Sequence, residues 1–378
     1  MGFIIFFMGC FFAGNQVLVH YVSRHFAATD LEYGLMVGAM YVGSLVMVLV
    51  LGEVSERIGK RLGITIAALC YSIGALFIAL AGSIKLTAAA FLIFGCGTGG
   101  IEGILFSLIG DYNGAKTGRV MNLTQAVFSV GAVLGPIVIN SLIKVVEYQV
   151  LYGFMWLFMG VLAVLFYLSR DIDEFAVKAP AREKGLTMFK LIKNPAMLIF
   201  MLALMVSIGC ETSITYWLVN YFDGLGAIEL GTYGLSIYWI ASIPGRLMGA
   251  LPRDEGKYLS IGYVAASGGI LLLLFLPTPG LKLIGIMVLG ITLAPVYPCI
   301  SSMGAALFPE KSASAFSLMV FASGLGGAIA QPIIGEISTA SSVTTVYGAI
   351  SVIMLLLSVT IIIGVRQSKK QRARLEVK

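Results

Sequence analysis

The chain has 378 residues, of which 58% are hydrophobic and 12% charged, and its mean hydropathy is +0.96. Soluble domains carry about 25% charged residues and about 45–50% apolar ones with glycine included, so no water-soluble packing hides this much apolar surface. Soluble enzymes, nucleic-acid binders and disordered proteins are excluded, and lipid is the solvent for most of the chain.

A helical crossing of the hydrocarbon core needs about 20 apolar residues. Charge clusters and Gly/Pro punctuation divide the sequence into twelve such spans, near 3–23, 34–54, 62–82, 86–110, 119–143, 149–169, 196–221, 231–251, 258–277, 281–304, 312–338 and 343–365. The first lacks a basic start and precedes eleven others, so it is expected to stay as a span and not to be removed as a signal peptide. The apolar runs are continuous and do not alternate, which excludes a β-barrel. Of the 25 Lys and Arg residues, 21 fall in the loops and tail of one side, and only Arg24, Lys85, Lys144 and Lys282 on the other. Basic loops stay cytoplasmic. Both termini and the 170–195 segment are therefore expected inside, with the chain in the cytoplasmic membrane. The isoelectric point near 9.0 is then a topology signal, and contact of the tail with anionic lipid is its secondary consequence.

Cys10, Cys70, Cys96, Cys210 and Cys299 all lie in apolar stretches without a CxxC pair. They read as free thiols acting as small hydrophobes. His20 and His25 have no third ligand nearby, so no metal is expected. No nucleophile–base constellation, zinc spacing or phosphate loop occurs, so neither a cofactor nor enzymatic activity is expected.

The longest polar interruption, Ser169 to Asn194, splits the spans six and six. The halves repeat. Leu18-Val19-His20-Tyr21 with Tyr33-Gly34-Leu35 recurs as Leu218-Val219-Asn220-Tyr221 with Tyr233-Gly234-Leu235 at an offset of 200. Gly52 with Gly59-Lys60 recurs as Gly249 with Gly256-Lys257, and Gly131 with Pro136 as Gly327 with Pro332, at offsets of 197 and 196. Two parallel six-helix repeats are a transporter architecture. Small-residue ladders (Gly95, Gly97, Gly99 and Gly100; Gly324, Gly326 and Gly327) let helix backbones approach closely. Gly135-Pro136 and Pro332 are expected to interrupt their helical ladders.

Gly52-Glu53-Val54-Ser55-Glu56-Arg57-Ile58-Gly59-Lys60-Arg61 resembles the loop signature of the major facilitator superfamily. That resemblance implies a conformational latch made of Gly52, Glu56, Arg57, Gly59 and Arg61, with Arg246 at the inner end of span 8. It also implies an all-α membrane fold of twelve transmembrane helices in two pseudo-symmetric six-helix bundles. The N-terminal bundle is 1–169, the cytoplasmic linker 170–195, the C-terminal bundle 196–366 and the basic tail 367–378. Gly95-x-Gly97-x-Gly99-x-x-Glu102 in span 4, Gly209-x-Glu211 with Trp217 and Tyr221 in span 7, and Ala294-Pro295-Val296-Tyr297-Pro298 in span 10 resemble the fucose–proton symporter-like branch. Asn122, Gln125 and the Gly131–Pro136 run fit its fifth helix. One departure is that span 1 contains no Asp or Glu, where the sugar–proton symporters of that branch carry an acid. The nearest polar pair is Asn15-Gln16.

Glu102, Glu211, Glu336 and Arg246 are the ionisable groups well inside spans. A charge at the bilayer centre costs about 2.5–3.5 kcal/mol on insertion scales and faces a cavity or a partner. Glu102 reads as the proton carrier, neutral when dry and ionised when its surroundings open to water; the structural alternative is a hydrogen bond to Asn122 or Gln125. Glu211, in the outer half of span 7 beside Thr215 and Trp217, reads as a sugar-binding and second proton-coupling group. Hydroxyls bind carboxylates and amides, and the apolar face of a sugar ring stacks on an aromatic. Tyr221 reads as an aromatic-belt residue, and Trp217 stands between belt and site. Asn15, Gln16, Asn122, Gln125, Tyr297 and Gln331 are further solute-binding candidates on helices that line the cavity in the superfamily this chain resembles. Each has interhelical hydrogen bonding as its alternative.

The first reading is a monomeric, proton-coupled importer of a small neutral solute, most simply a sugar. The second is an exporter of drugs or amphipathic solutes by antiport, which suits the missing span-1 acid and the Gly-Pro run of span 5. A sensor or scaffold is disfavoured by the short tail and the lack of a soluble domain.

Overall fold

In a computed structural model, residues 2–113, 117–169, 172, 191–249, 254–308 and 312–376 are described. The side chains of Gly52, Glu53, Glu56 and 110–123 lie outside that description, as does most of the 170–195 segment. The described residues form thirteen helices: α1 Gly2–His25, α2 Asp30–Ile58, α3 Lys60–Leu80, α4 Ile84–Asn113, α5 Thr117–Leu142, α6 Tyr148–Leu168, α7 Pro195–Asp223, α8 Ile228–Gly249, α9 Glu255–Phe275, α10 Pro279–Leu293, α11 Val296–Ala305, α12 Ser312–Ala340 and α13 Val343–Glu376.

Local chemistry sets the starts. Thr29 and Glu32 make a reciprocal capping box at α2, Asn194 accepts from the Ala196 and Met197 amides ahead of Pro195, and Thr278 caps α10 ahead of Pro279. These side chains satisfy amides that have no partner within the helix. Asp254 caps α9 by accepting from the Lys257 amide at 3.0 Å. That hydrogen bond holds its carboxyl below the usual carboxylate range. Gly59 joins α2 to α3 at φ +90°, a conformation that a side chain resists, so the second glycine of the span 2–3 motif is a joint.

Among the described residues, eleven segments are long and apolar enough to cross a membrane. The twelfth expected span is α8, whose 22 residues include Glu229, Tyr238, Pro244 and Arg246. It is the polar helix of the set. The protein is a multi-pass membrane protein of all-helical architecture, with α10 and α11 together forming span 10.

One expectation, the aromatic-belt reading of Tyr221, is corrected. The helices α5 and α12 continue through Pro136 and Pro332, where each ring removes one donor from the ladder. Span 10 is divided at Ala294-Pro295, where Pro298 follows three residues later and the two rings remove donors from successive turns. Tyr221 is buried, with its hydroxyl donating to the Leu273 carbonyl at 3.1 Å and its ring 5.3 Å from Tyr347. It is a core residue, not a belt residue. Finally, α13 continues through the basic segment to Glu376, because Gln, Lys, Arg, Ala and Leu all favour helix.

The chain divides into two compact units, Met1–Arg182 with Gln331–Thr339, and Glu183–Ala330 with Ala340–Lys378. Within the first, a Cβ on Gly9 would meet the Phe128 carbonyl of α5, and one on Gly131 the Phe6 carbonyl of α1. Gly95 and Gly99 of α4 lie against Met40 and Ser44 of α2 in the same way, and Gly97 against Tyr71 of α3. The second unit repeats the device: Gly326 of α12 lies on the Met205 carbonyl of α7, Gly245 of α8 on Ile291 of α10, and Gly285 of α10 on Gly269 of α9. Lipid offers no hydrophobic drive between helices, so close backbone packing carries their association. Hydroxyl pairs add to it, with Ser260–Ser358 at 2.9 Å and Ser267–Ser351 at 2.8 Å joining α9 to α13.

Lys282, one of the few basic residues assigned to the outer side, is only 6% exposed. Its Nζ donates to the carbonyls of Leu273 and Leu274 at 2.8 and 2.7 Å and sits 5.7 Å from the Tyr221 ring centroid. A cation here closes the negative end of α9. Lys282→Met should lower stability by about 1–3 kcal/mol, the loss of hydrogen bonds from a charged donor, and thermal unfolding in detergent measures it. An unchanged Tm would refute the capping role.

Candidate functional site

In the first unit the polar interior is built around Asn15. Tyr152 of α6 donates to its Oδ1 at 2.7 Å, and its Nδ2 reaches the Met40 sulfur at 3.5 Å. Asn15 is 1% exposed, and its amide ties α1 to α2 and α6. Gln16 and His20 are buried beside it on α1. Glu102 differs. It lies five residues after Gly97 and two before Ile104, which pack on α3, so it points about 140–160° away from that neighbour. Its side chain is exposed.

In the second unit the polar cluster centres on Glu211 of α7. Tyr238 of α8 donates to Glu211 Oε1 at 2.6 Å. The Arg246 guanidinium, two turns further along α8, lies 5.9 Å from the Trp239 ring centroid and acts through space on both Glu211 and Tyr238. The Tyr238 and Trp239 rings meet edge to face at 5.5 Å. Tyr263 of α9 hydrogen-bonds to Ser207 one turn below Glu211.

The other sequence candidates fall in varied places. Thr215 returns its hydroxyl to the Glu211 and Thr212 carbonyls at 3.2 and 3.1 Å, and Trp217 is fully buried. Gln331 is fully buried, whereas Gln125 and Tyr297 are half-buried. The side chain of Asn122 lies outside the described residues, as do those of Gly52 and Glu56 in the expected latch. Of the other latch residues, Arg57 is exposed, while Arg61 donates to the Tyr167 carbonyl at 3.4 Å and sits over its ring. Arg246 stands within the Glu211 cluster. Sequence reasoning missed Tyr152, Tyr238, Trp239 and Tyr263. The signal for the middle pair was the polarity of span 8, where an adjacent Tyr and Trp share a helix with a membrane-embedded Arg.

The first unit thus holds a cluster of amides and a phenol, and the second a carboxyl with phenols, on glycine-packed helices. A sequence model of the Major Facilitator Superfamily matches residues 1–281. The chain belongs to this superfamily. Other members resemble it over most of its length. The glucose/mannose transporter GlcP of Bacillus subtilis (strain 168) is 24% identical over 294 residues, 75% of this chain and 72% of that protein. The membrane protein MosC of Rhizobium meliloti is 21% identical, covering 90% of this chain and 83% of its own. Among solved structures, the nucleoside transporter NupG superposes with a TM-score of 0.77 at 16% identity, covering 97% of this chain and 98% of its own. The fucose:proton symporter FucP of E. coli gives 0.66 at 18% identity, covering 96% of each chain. This major facilitator chain is thus a transporter, with the twelve-span fold of its superfamily.

Proposed function

We propose that the protein is a proton symporter that imports a small neutral solute, a sugar in the first instance, by alternating access. Glu102 carries the reading: it is a carboxyl on an intramembrane helix of a major facilitator chain, exposed and turned away from α3. Such a group takes a proton from the outer water, stays neutral while it is cut off from water, and releases the proton when the inner water reaches it. Gln16, Asn122 and Gln125 in the first half, and Glu211, Tyr297 and Gln331 in the second, supply hydrogen bonds for hydroxyls. The likeness to a glucose/mannose transporter supports a sugar, and the likeness to a nucleoside transporter widens the range to ribosides. The basic asymmetry of the loops supports an orientation with both termini on the cytoplasmic side of the cytoplasmic membrane. Proton-coupled export of an amphipathic solute is the second reading, favoured by the missing span-1 acid.

Proteoliposomes given an inward proton gradient and labelled D-glucose, L-fucose or uridine decide between them. At one proton per solute, each pH unit sustains about a tenfold accumulation. Uphill uptake abolished by an uncoupler supports the symporter. Solute uptake indifferent to the gradient overturns it, and drug-stimulated proton efflux favours the exporter.

A further inference from the structure

The two intramembrane acids have surroundings of different kinds. Glu211 accepts a short hydrogen bond from Tyr238, and Arg246, braced on Trp239, places a positive charge within electrostatic reach. The remaining titratable groups around the cluster are Tyr263 of α9, Cys210 on the same helix and Cys299 of α11, with Tyr347 of α13 donating to the Ile214 carbonyl at 3.0 Å. None of these adds an acid. Glu102 has no hydrogen-bond or ion partner among the described residues. Charges inside a membrane persist when a partner balances them, and a hydrogen bond donated to a carboxylate is stronger than one between neutral groups. An acid without a counter-ion is neutral until water reaches it.

From this contrast we infer that Glu211 is a fixed anion, clamped by Tyr238 and balanced by Arg246, which holds solute hydroxyls and never exchanges its proton. Glu102 alone then carries the coupled proton, an assignment that rests on the symporter reading. One proton enters from the outer water onto Glu102 and leaves it to the inner water, while Glu211 neither gains nor loses one. Tyr238 and Arg246 are positioning residues that preserve its charge and orientation.

Infrared difference spectra of the full chain in lipid, recorded across pH, test this without any solute. The protonated-carboxyl band that titrates in the wild type should vanish in Glu102→Gln and persist unchanged in Glu211→Gln. Arg246→Gln should create a second titrating band, absent from the Arg246→Gln/Glu211→Gln double variant. Tyr238→Phe, a milder change, should create the same band should Arg246→Gln prove unstable. Loss of a titrating band in Glu211→Gln, or no new band in either positioning variant, overturns the inference. In transport, Glu211→Gln should raise the KM for D-glucose exchange by about 10- to 100-fold, the weight of a hydrogen bond to a charged group. A wild type without proton-driven uptake would overturn the symporter reading alone, since the infrared result on Glu211 stands apart from it.

Discussion

Glu102→Gln should reduce gradient-driven accumulation to an equal concentration on both sides while leaving exchange of labelled for unlabelled solute intact. Glutamine keeps the size and a hydrogen-bonding carbonyl but cannot bind or release a proton. At a gradient of two pH units the wild type can reach about a hundredfold accumulation at one proton per solute, and the variant none. Its exchange rate should also lose its pH dependence, because the group that changes charge in the proposed cycle is gone. The paired measurement separates coupling from binding. Loss of exchange together with accumulation would place Glu102 in solute binding or structure, whereas full accumulation in the variant would exclude it as the proton carrier.

The second large effect is structural. Gly131→Leu should abolish recovery of folded, monodisperse protein from the membrane, and Gly326→Leu should do the same. At both positions the first atom of a side chain would meet a backbone carbonyl of a neighbouring helix, Phe6 in one unit and Met205 in the other. A flexible side chain could move aside, but a helix backbone cannot without separating the pair. Overpacking of an ordinary core costs about 1–3 kcal/mol. Here the whole helix contact is at stake, so the loss exceeds that range. Gly153 and Gly268 are controls, since a Cβ at either meets nothing within 4 Å, and their leucine variants should fold. Size-exclusion profiles and thermal unfolding of the four variants are the measurement. Equal behaviour of Gly131→Leu and Gly153→Leu would refute the backbone-contact argument.

The membrane class, the span positions and the doubling of the chain were legible because lipid imposes them one segment at a time. Every crossing must be about 20 apolar residues and must satisfy its own backbone bonds, so composition alone reveals it. Gly131 and Pro136 matching Gly327 and Pro332 exposed the repeat, and Gly131 and the neighbouring Gly326 each lie on the backbone of an adjacent helix. Legibility declined for aromatic residues. Tyr221 carries the signature of an interfacial ring, yet it is buried against Tyr347 and Leu273. Side-chain type does not encode which face of a helix meets protein and which meets lipid. Prolines are similar: Pro136, Pro244 and Pro332 lie inside continuing helices, whereas span 10 is divided at Pro295.

By itself, the sequence determined that this is a many-span helical membrane protein with a repeated half, basic residues gathered in one set of loops and a short set of embedded charges. Those properties follow from local transfer energies and spacing. The partners of those charges were decided only in three dimensions. Tyr238 lies 27 residues from Glu211 and Tyr152 lies 137 from Asn15, and no local pattern links them. The packing of α7 on α8, and of α1 against α6, brings each pair within a hydrogen bond. That packing gives Glu211 its partners, and at Glu102 it leaves a carboxyl with none among the described residues.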